Sequence, residues 1–153
     1  MEDDDTSGAR LLIPSLGNLY RCFSRYSYAF MRFSTGAVLV PHGVQKILYI
    51  PVGRIADNVA AHGFPAPFLL TCLTYFTESV AAACLALGLF TRIAALMVWI
   101  EMAVIITYFQ WQFGYFWTNR GIEYALLWLL LCTAIFFRGG GRYSLDRLIG
   151  KEF

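Results

Sequence analysis

The sequence predicts an all-α integral membrane protein: a bundle of four transmembrane helices with both termini on the cytoplasmic side. An amphipathic segment precedes the bundle and a short interfacial helix follows it. Three observations carry this. Hydrophobic residues make up 58% of the 153-residue chain and charged residues only 14%, against roughly 45–50% and about 25% in soluble domains. Mean hydropathy is +0.56. Four apolar stretches are long enough to span a hydrocarbon core of ~30 Å, which needs about 20 helical residues.

The acidic start, Glu2, Asp3, Asp4 and Asp5, lacks the basic flank of a secretory signal, so the first span is expected to be an uncleaved anchor. Residues 15–31 alternate Leu16, Leu19, Tyr20, Phe23, Tyr26 and Phe30 with Arg21 and Arg25, a pattern suited to an interfacial helix. Together with the acidic tail they form a leading segment, 1–27. The bundle is expected over 28–137, with spans at 28–50, 66–89, 91–109 and 121–137. Breakers separate the spans: Pro51-Val52-Gly53, Gly63-Phe64-Pro65, Gly88, Gly114 and Gly139-Gly140-Gly141. In the last segment, 138–153, Ser144 is placed to N-cap a short helix, and Asp146 in its first turn suits the helix dipole.

Basic residues orient the bundle. The N-tail, second loop and C-tail hold Arg10, Arg21, Arg25, Arg32, Arg92, Arg138, Arg142, Arg147 and Lys151, and the other side offers Arg54 and Arg120, with Lys46 near the end of the first span. That excess places both termini in the cytoplasm. The loop from Tyr108 to Trp117, which includes Trp111, is aromatic at seven of ten positions. Such rings favour the headgroup region as an outer-leaflet anchor, with a docking surface for a partner or the mouth of a lipophilic ligand site as the alternatives.

Ionisable groups inside a bilayer cost roughly 2.5–3.5 kcal/mol each on insertion scales. This chain carries His42 and Lys46, with Gln45 beside them, in the first span, Glu78 in the second, Glu101 in the third and Glu123 at the start of the fourth. His42 and Lys46, at i and i+4, project from one face, and Pro41 should kink the helix there. Two readings stay open. Lys46 pairs with Glu78 or Glu123 only to fix helix register. Alternatively, these groups line an outward-facing polar pocket that takes a small polar head on a lipophilic body, such as a quinone, or relays protons. Cys72, Cys84 and Cys132 lie in apolar runs and Cys22 in a basic segment, with no CxxC, so no metal site is expected. His42 and His62 are too isolated to suggest haem. No block of like charge suggests nucleic acid.

Taken together, several motifs resemble the DoxX family of small four-helix bacterial and archaeal membrane proteins. They are Arg32-x3-Gly36, His42-Gly43-x2-Lys46, Gly63-Phe64-Pro65, Glu78, Leu87-Gly88-Leu89-Phe90-Thr91-Arg92, Glu123 and Gly139-x-Gly141-x-Tyr143-Ser144-Leu145-Asp146-x-Leu148. The resemblance spans about 32–149 and leaves out Glu101 and the aromatic loop. It implies an inner-membrane subunit or anchor of a quinone-linked redox system, with quinone as the possible ligand and no covalent cofactor. Membrane lipids and either a redox partner or further copies of the chain are its implied contacts. An alternative is a non-catalytic assembly subunit that docks a partner through Trp111–Trp117.

Overall fold

The computed structural model describes residues 11–152; the acidic tail, Glu2 to Asp5, and Arg10 lie outside them. Within that range the chain is helical throughout, without strands among the described residues. Helix α1 covers Gly17–Tyr49 and α2 covers Val52–Ala61. Helix α3 runs through Pro67–Leu87 and α4 through Thr91–Phe113. Helix α5 covers Glu123–Arg138 and α6 Leu145–Ile149.

Two helices, α3 with 21 residues and α4 with 23, are long and apolar enough to cross a membrane. The other two expected spans differ for separate reasons. Helix α5 stops at 16 residues, because Gly139 adopts φ 76° after Arg138, so it measures only ~24 Å. Helix α1 has ample length, 33 residues or ~50 Å, but its polar positions dilute the apolar run. The expected interfacial segment and first span are one continuous helix, which passes through Pro41. A proline removes a single backbone hydrogen bond, and the helix on either side is held by packing.

The turn at Ile50–Pro51 ends α1: the residue before proline is driven to extended geometry, and Ile50 sits at φ −119°, ψ 115°. The Pro51-Val-Gly stretch then starts a helix instead of a loop. Proline is well tolerated at a helix start, and α2 turns its Ala56 inward. Pro67 opens α3 in the same way, and α3 contains one π-helical turn, Thr77–Ala81.

Helix α1 packs along the second half of α3, α2 along its first half, and α4 against α5. The core joins Leu85, Ala82, Ala95, Val98, Cys132 and Ile135, all without solvent contact. The buried face of α1 reads Arg32, Thr35, Gly36, Leu39 and Gly43, a helical spacing. Its two glycines let backbones touch. A Cβ at Gly36 would lie 2.3 Å from the Ala82 carbonyl oxygen, and one at Gly43 2.6 Å from the Glu78 carbonyl carbon. Small residues at such crossings are how membrane helices approach closely. Gly36→Val is therefore expected to lower stability by about 2–3 kcal/mol. Gly53→Ala, where an added Cβ meets nothing within 4 Å, should be neutral in the same detergent unfolding assay.

At the end holding both described termini, one cluster ties the C-terminal segment to the α3–α4 turn. Arg32, 2% exposed, donates from Nη1 to the Leu85 and Ala86 carbonyls and from Nη2 to that of Tyr143, each at 2.7 Å. Leu85 and Ala86 belong to the last turn of α3, where a helix leaves carbonyls short of intrahelical partners. Asp146, equally buried, accepts from the backbone N–H of Phe90 and Thr91 and from the Thr91 hydroxyl at 2.6–2.9 Å. A cation thus closes the C-terminus of α3 and an anion the N-terminus of α4, as the helix dipoles favour. Ser144 caps α6 as expected, accepting from the Arg147 N–H. Asp146 sits in the first turn of α6, but its carboxylate serves α4 instead.

Candidate functional site

The site begins where α1 meets the π turn of α3. Because Gly43 lacks a side chain, α1 rests on the backbone of Glu78. One turn further on, the Lys46 ammonium reaches Glu78 Oε1 at 2.5 Å, with side chains 23% and 5% exposed respectively. A π turn inserts one residue into the helical register and recurs at functional positions; here it carries Glu78. The other carboxylate oxygen of Glu78 is buried without a hydrogen-bond partner among the described residues. Glu101, on α4, comes within electrostatic reach of Glu78 and Lys46 and lies beside Thr74. Both of its oxygens are likewise buried and unpartnered. Buried polar groups are normally hydrogen-bonded, so three such oxygens around one ammonium mark a place where a proton or a ligand can be held.

Next to this cluster lies a cavity of about 770 Å³, bounded by the end of α1, by α2, the first half of α3 and the second half of α4. That volume is within the range of small-molecule sites. Its walls are apolar, from Ile55 and Val59 on α2 to Leu73, Ile105 and Phe109. Lys46, Glu101 and Thr74 supply polar groups, as do Arg54 and Asn58, which are exposed. A smaller chamber of about 240 Å³ adjoins it, sharing Asn58, Ile105 and Phe109 and adding His62, Gln110 and Arg120. The Phe109 ring lies 4.4 Å from that of His62 and stacks on Phe64 at 6.1 Å. The arrangement can enclose a lipophilic body with its polar head near Lys46, and an acid beside that head can give or take a proton.

The structure brings together Lys46, Glu78 and Glu101 and separates the rest. Glu123 accepts from the Trp117 N–H through Oε2 at 3.1 Å, while its own N–H bonds the Tyr115 carbonyl. It closes the aromatic loop and does not reach Lys46. His42 and Gln45 are exposed on the outer side of α1. The glycine contacts set which face of α1 is inside, and His42, one residue before Gly43, is turned ~100° from it. The long Lys46 stem bridges that offset, as lysine side chains do; imidazole is too short. Trp111 and Trp117 are 67% and 53% exposed. Arg92 approaches Glu152 only to 4.0 Å, with both side chains over a third exposed, a weak contact. Sequence reasoning missed Arg54, Asn58 and the other residues of α2. Their signal was Ile55, Asn58, Val59 and His62 at helical spacing, masked by the flanking prolines and glycines.

A family model described as DoxX matches residues 28–111. A protein of Haemophilus influenzae described as uncharacterized is 34% identical over 131 residues, which are 83% of this chain and 93% of that relative. A protein of Mycobacterium tuberculosis described as an uncharacterized membrane protein is 28% identical over 149 residues, 91% of each chain. No solved structure matches. With a family model matching more than half of the chain, a relative 34% identical over most of it, and the described residues folded from helices alone, the chain belongs to the DoxX family of membrane proteins.

Proposed function

We propose that this protein spans the bacterial inner membrane four times through α1, α3, α4 and α5, with both termini cytoplasmic. In this reading it binds the head of a quinone, or a molecule of like chemistry, in the cavity facing the opposite leaflet. The single observation that carries the reading is the cavity itself: apolar walls, with Lys46 at its inner end and the unpartnered Glu78 and Glu101 carboxyls beside it. Lys46 donates to a carbonyl oxygen of the head. Glu101 or Glu78 exchanges the proton that accompanies reduction, and a redox partner protein delivers the electrons. Arg54 and Asn58 stand at the polar edge of the site.

Full-length protein in mild detergent, titrated with a short-chain ubiquinone or menaquinone, tests this. Saturable binding to wild type is expected, with at least a tenfold loss in Ile105→Trp, which fills the cavity, and no loss in Cys84→Ala. Absence of saturable binding to wild type overturns the proposal.

A second reading, an assembly subunit, is favoured by the exposure of Trp111, Phe116 and Trp117 at 67%, 64% and 53%. It expects the cavity variant to be silent, and Trp111→Ala with Trp117→Ala to release a stoichiometric protein partner.

A further inference from the structure

His42 and Gln45 are polar and exposed, and their side chains make no hydrogen bond among the described residues. Their level in the bundle makes this unusual. Gly43 lies against the backbone of Glu78, and Glu78 is the twelfth of the 21 residues of α3. His42 is therefore ~14–17 Å from either end of a helix long enough to span the membrane. At that depth neither water nor a lipid headgroup meets an outward-facing imidazole, and polar groups in such positions belong to interfaces or cavities. Neither residue lines the cavity or the smaller chamber.

The surrounding residues supply a seam. Val38, His42, Gln45 and Tyr49 follow one another at intervals of 4, 3 and 4, and all four are exposed. Those intervals keep one stripe of a helix facing a partner helix along its length, with polar residues in the seam fixing register. We infer that this stripe of α1 is the contact between two copies of the chain, paired about a two-fold axis along the membrane normal. Three points select a second copy over another protein. Two copies share one orientation, so their α1 helices run parallel, each His42 level with its counterpart and within ~4.5 Å in depth of the other copy's Gln45. Imidazole and carboxamide each donate and accept, so His42 of one copy can pair with Gln45 of the other, twice. An isologous interface demands that self-complementarity. The inference rests on the proposed membrane topology but not on the ligand reading, since none of the four seam residues lines the cavity or the smaller chamber.

Cysteine crosslinking of the full-length protein in native membranes is the test. In a Cys22→Ser background, which removes the exposed thiol, Gln45→Cys is expected to form a disulfide-linked species of twice the chain mass on mild oxidation. Ile47→Cys, also exposed but turned ~160° round the helix, should stay monomeric. Adding His42→Ala and Gln45→Ala to a Tyr49→Cys reporter should slow its crosslinking at least tenfold. The inference is overturned by no dimer at position 45, by equal dimer at 45 and 47, by crosslinking to a different protein, or by an unchanged rate at Tyr49→Cys.

Discussion

Arg32→Ala is expected to destabilise the bundle by about 3 kcal/mol, corresponding to a fall in melting temperature of roughly 6–12 °C for a chain of this size. The guanidinium serves three carbonyls from two parts of the chain, the end of α3 and Tyr143. Hydrogen bonds to charged groups contribute ~1.5–3 kcal/mol, and a buried acceptor left unpaired costs ~1–3 kcal/mol. A fraction of the sum survives because the turn can relax. Arg32→Lys should recover little, since one ammonium cannot reproduce the fork that addresses both sides. Asp146→Ala should be comparably costly, because it strips the N-terminus of α4 of its three hydrogen bonds at once. The two sites share the Gly88 turn, where the Gly88 carbonyl accepts from the Asp146 N–H and an added Cβ would meet the Arg32 guanidinium at 2.7 Å. The double variant should therefore cost less than the sum of the single ones, as neighbouring sites do. Thermal or denaturant unfolding in one detergent measures all of this. An Arg32→Ala melting temperature within 2 °C of wild type would remove the clasp from the account of this fold.

Lys46→Ala is expected to cost about 3–5 kcal/mol, the range for stripping a buried charge of its partner. Glu78 is the deeper of the two, at 5% exposure against 23% for Lys46, so the residue left behind is the one that cannot rehydrate. The paired change Lys46→Met with Glu78→Leu should restore most of the loss, since a buried ion pair often contributes little net stability over apolar packing. A double-mutant cycle in the unfolding assay gives the coupling. The paired variant also separates register from ligand binding. If the pair only fixes how α1 sits on α3, that variant regains both stability and quinone binding. If Lys46 meets the ligand head, stability returns and binding does not, which is the expected result.

The chemistry-bearing residues were more legible than their grouping. Lys46, Glu78 and Glu101 stand out in the sequence because charge inside an apolar run is costly anywhere, and the structure brings all three to one place. Glu123 and His42 stand out for the same reason and go elsewhere. Glu123 meets the backbone N–H of Trp117, six residues before its own helix begins, in a loop whose path no periodicity encodes. His42 fails by a rotation: a helical wheel places it 40° from Lys46, which is too coarse to say which edge of the stripe is inside. Asp146 stands in the first turn of α6, as its place in the sequence indicates, but that its carboxylate also closes α4 was not legible, because those partners lie 55 and 56 residues away.

By itself the sequence determined that this chain is helical and belongs in a membrane, where its helices break, and which few polar groups need explaining. Those are consequences of transfer free energy and backbone preference, which act on each residue in its own neighbourhood. Only the tertiary structure decided that α2 closes a cavity, that Lys46 takes Glu78 over Glu123, and that Arg32 and Asp146 clasp a turn distant from both. The Lys46–Glu78 pairing depends on where two glycines let helix backbones touch, and the others on contacts between segments far apart in the chain. Contact at that distance is set by the shapes of both surfaces, and neither surface is written in one segment of chain.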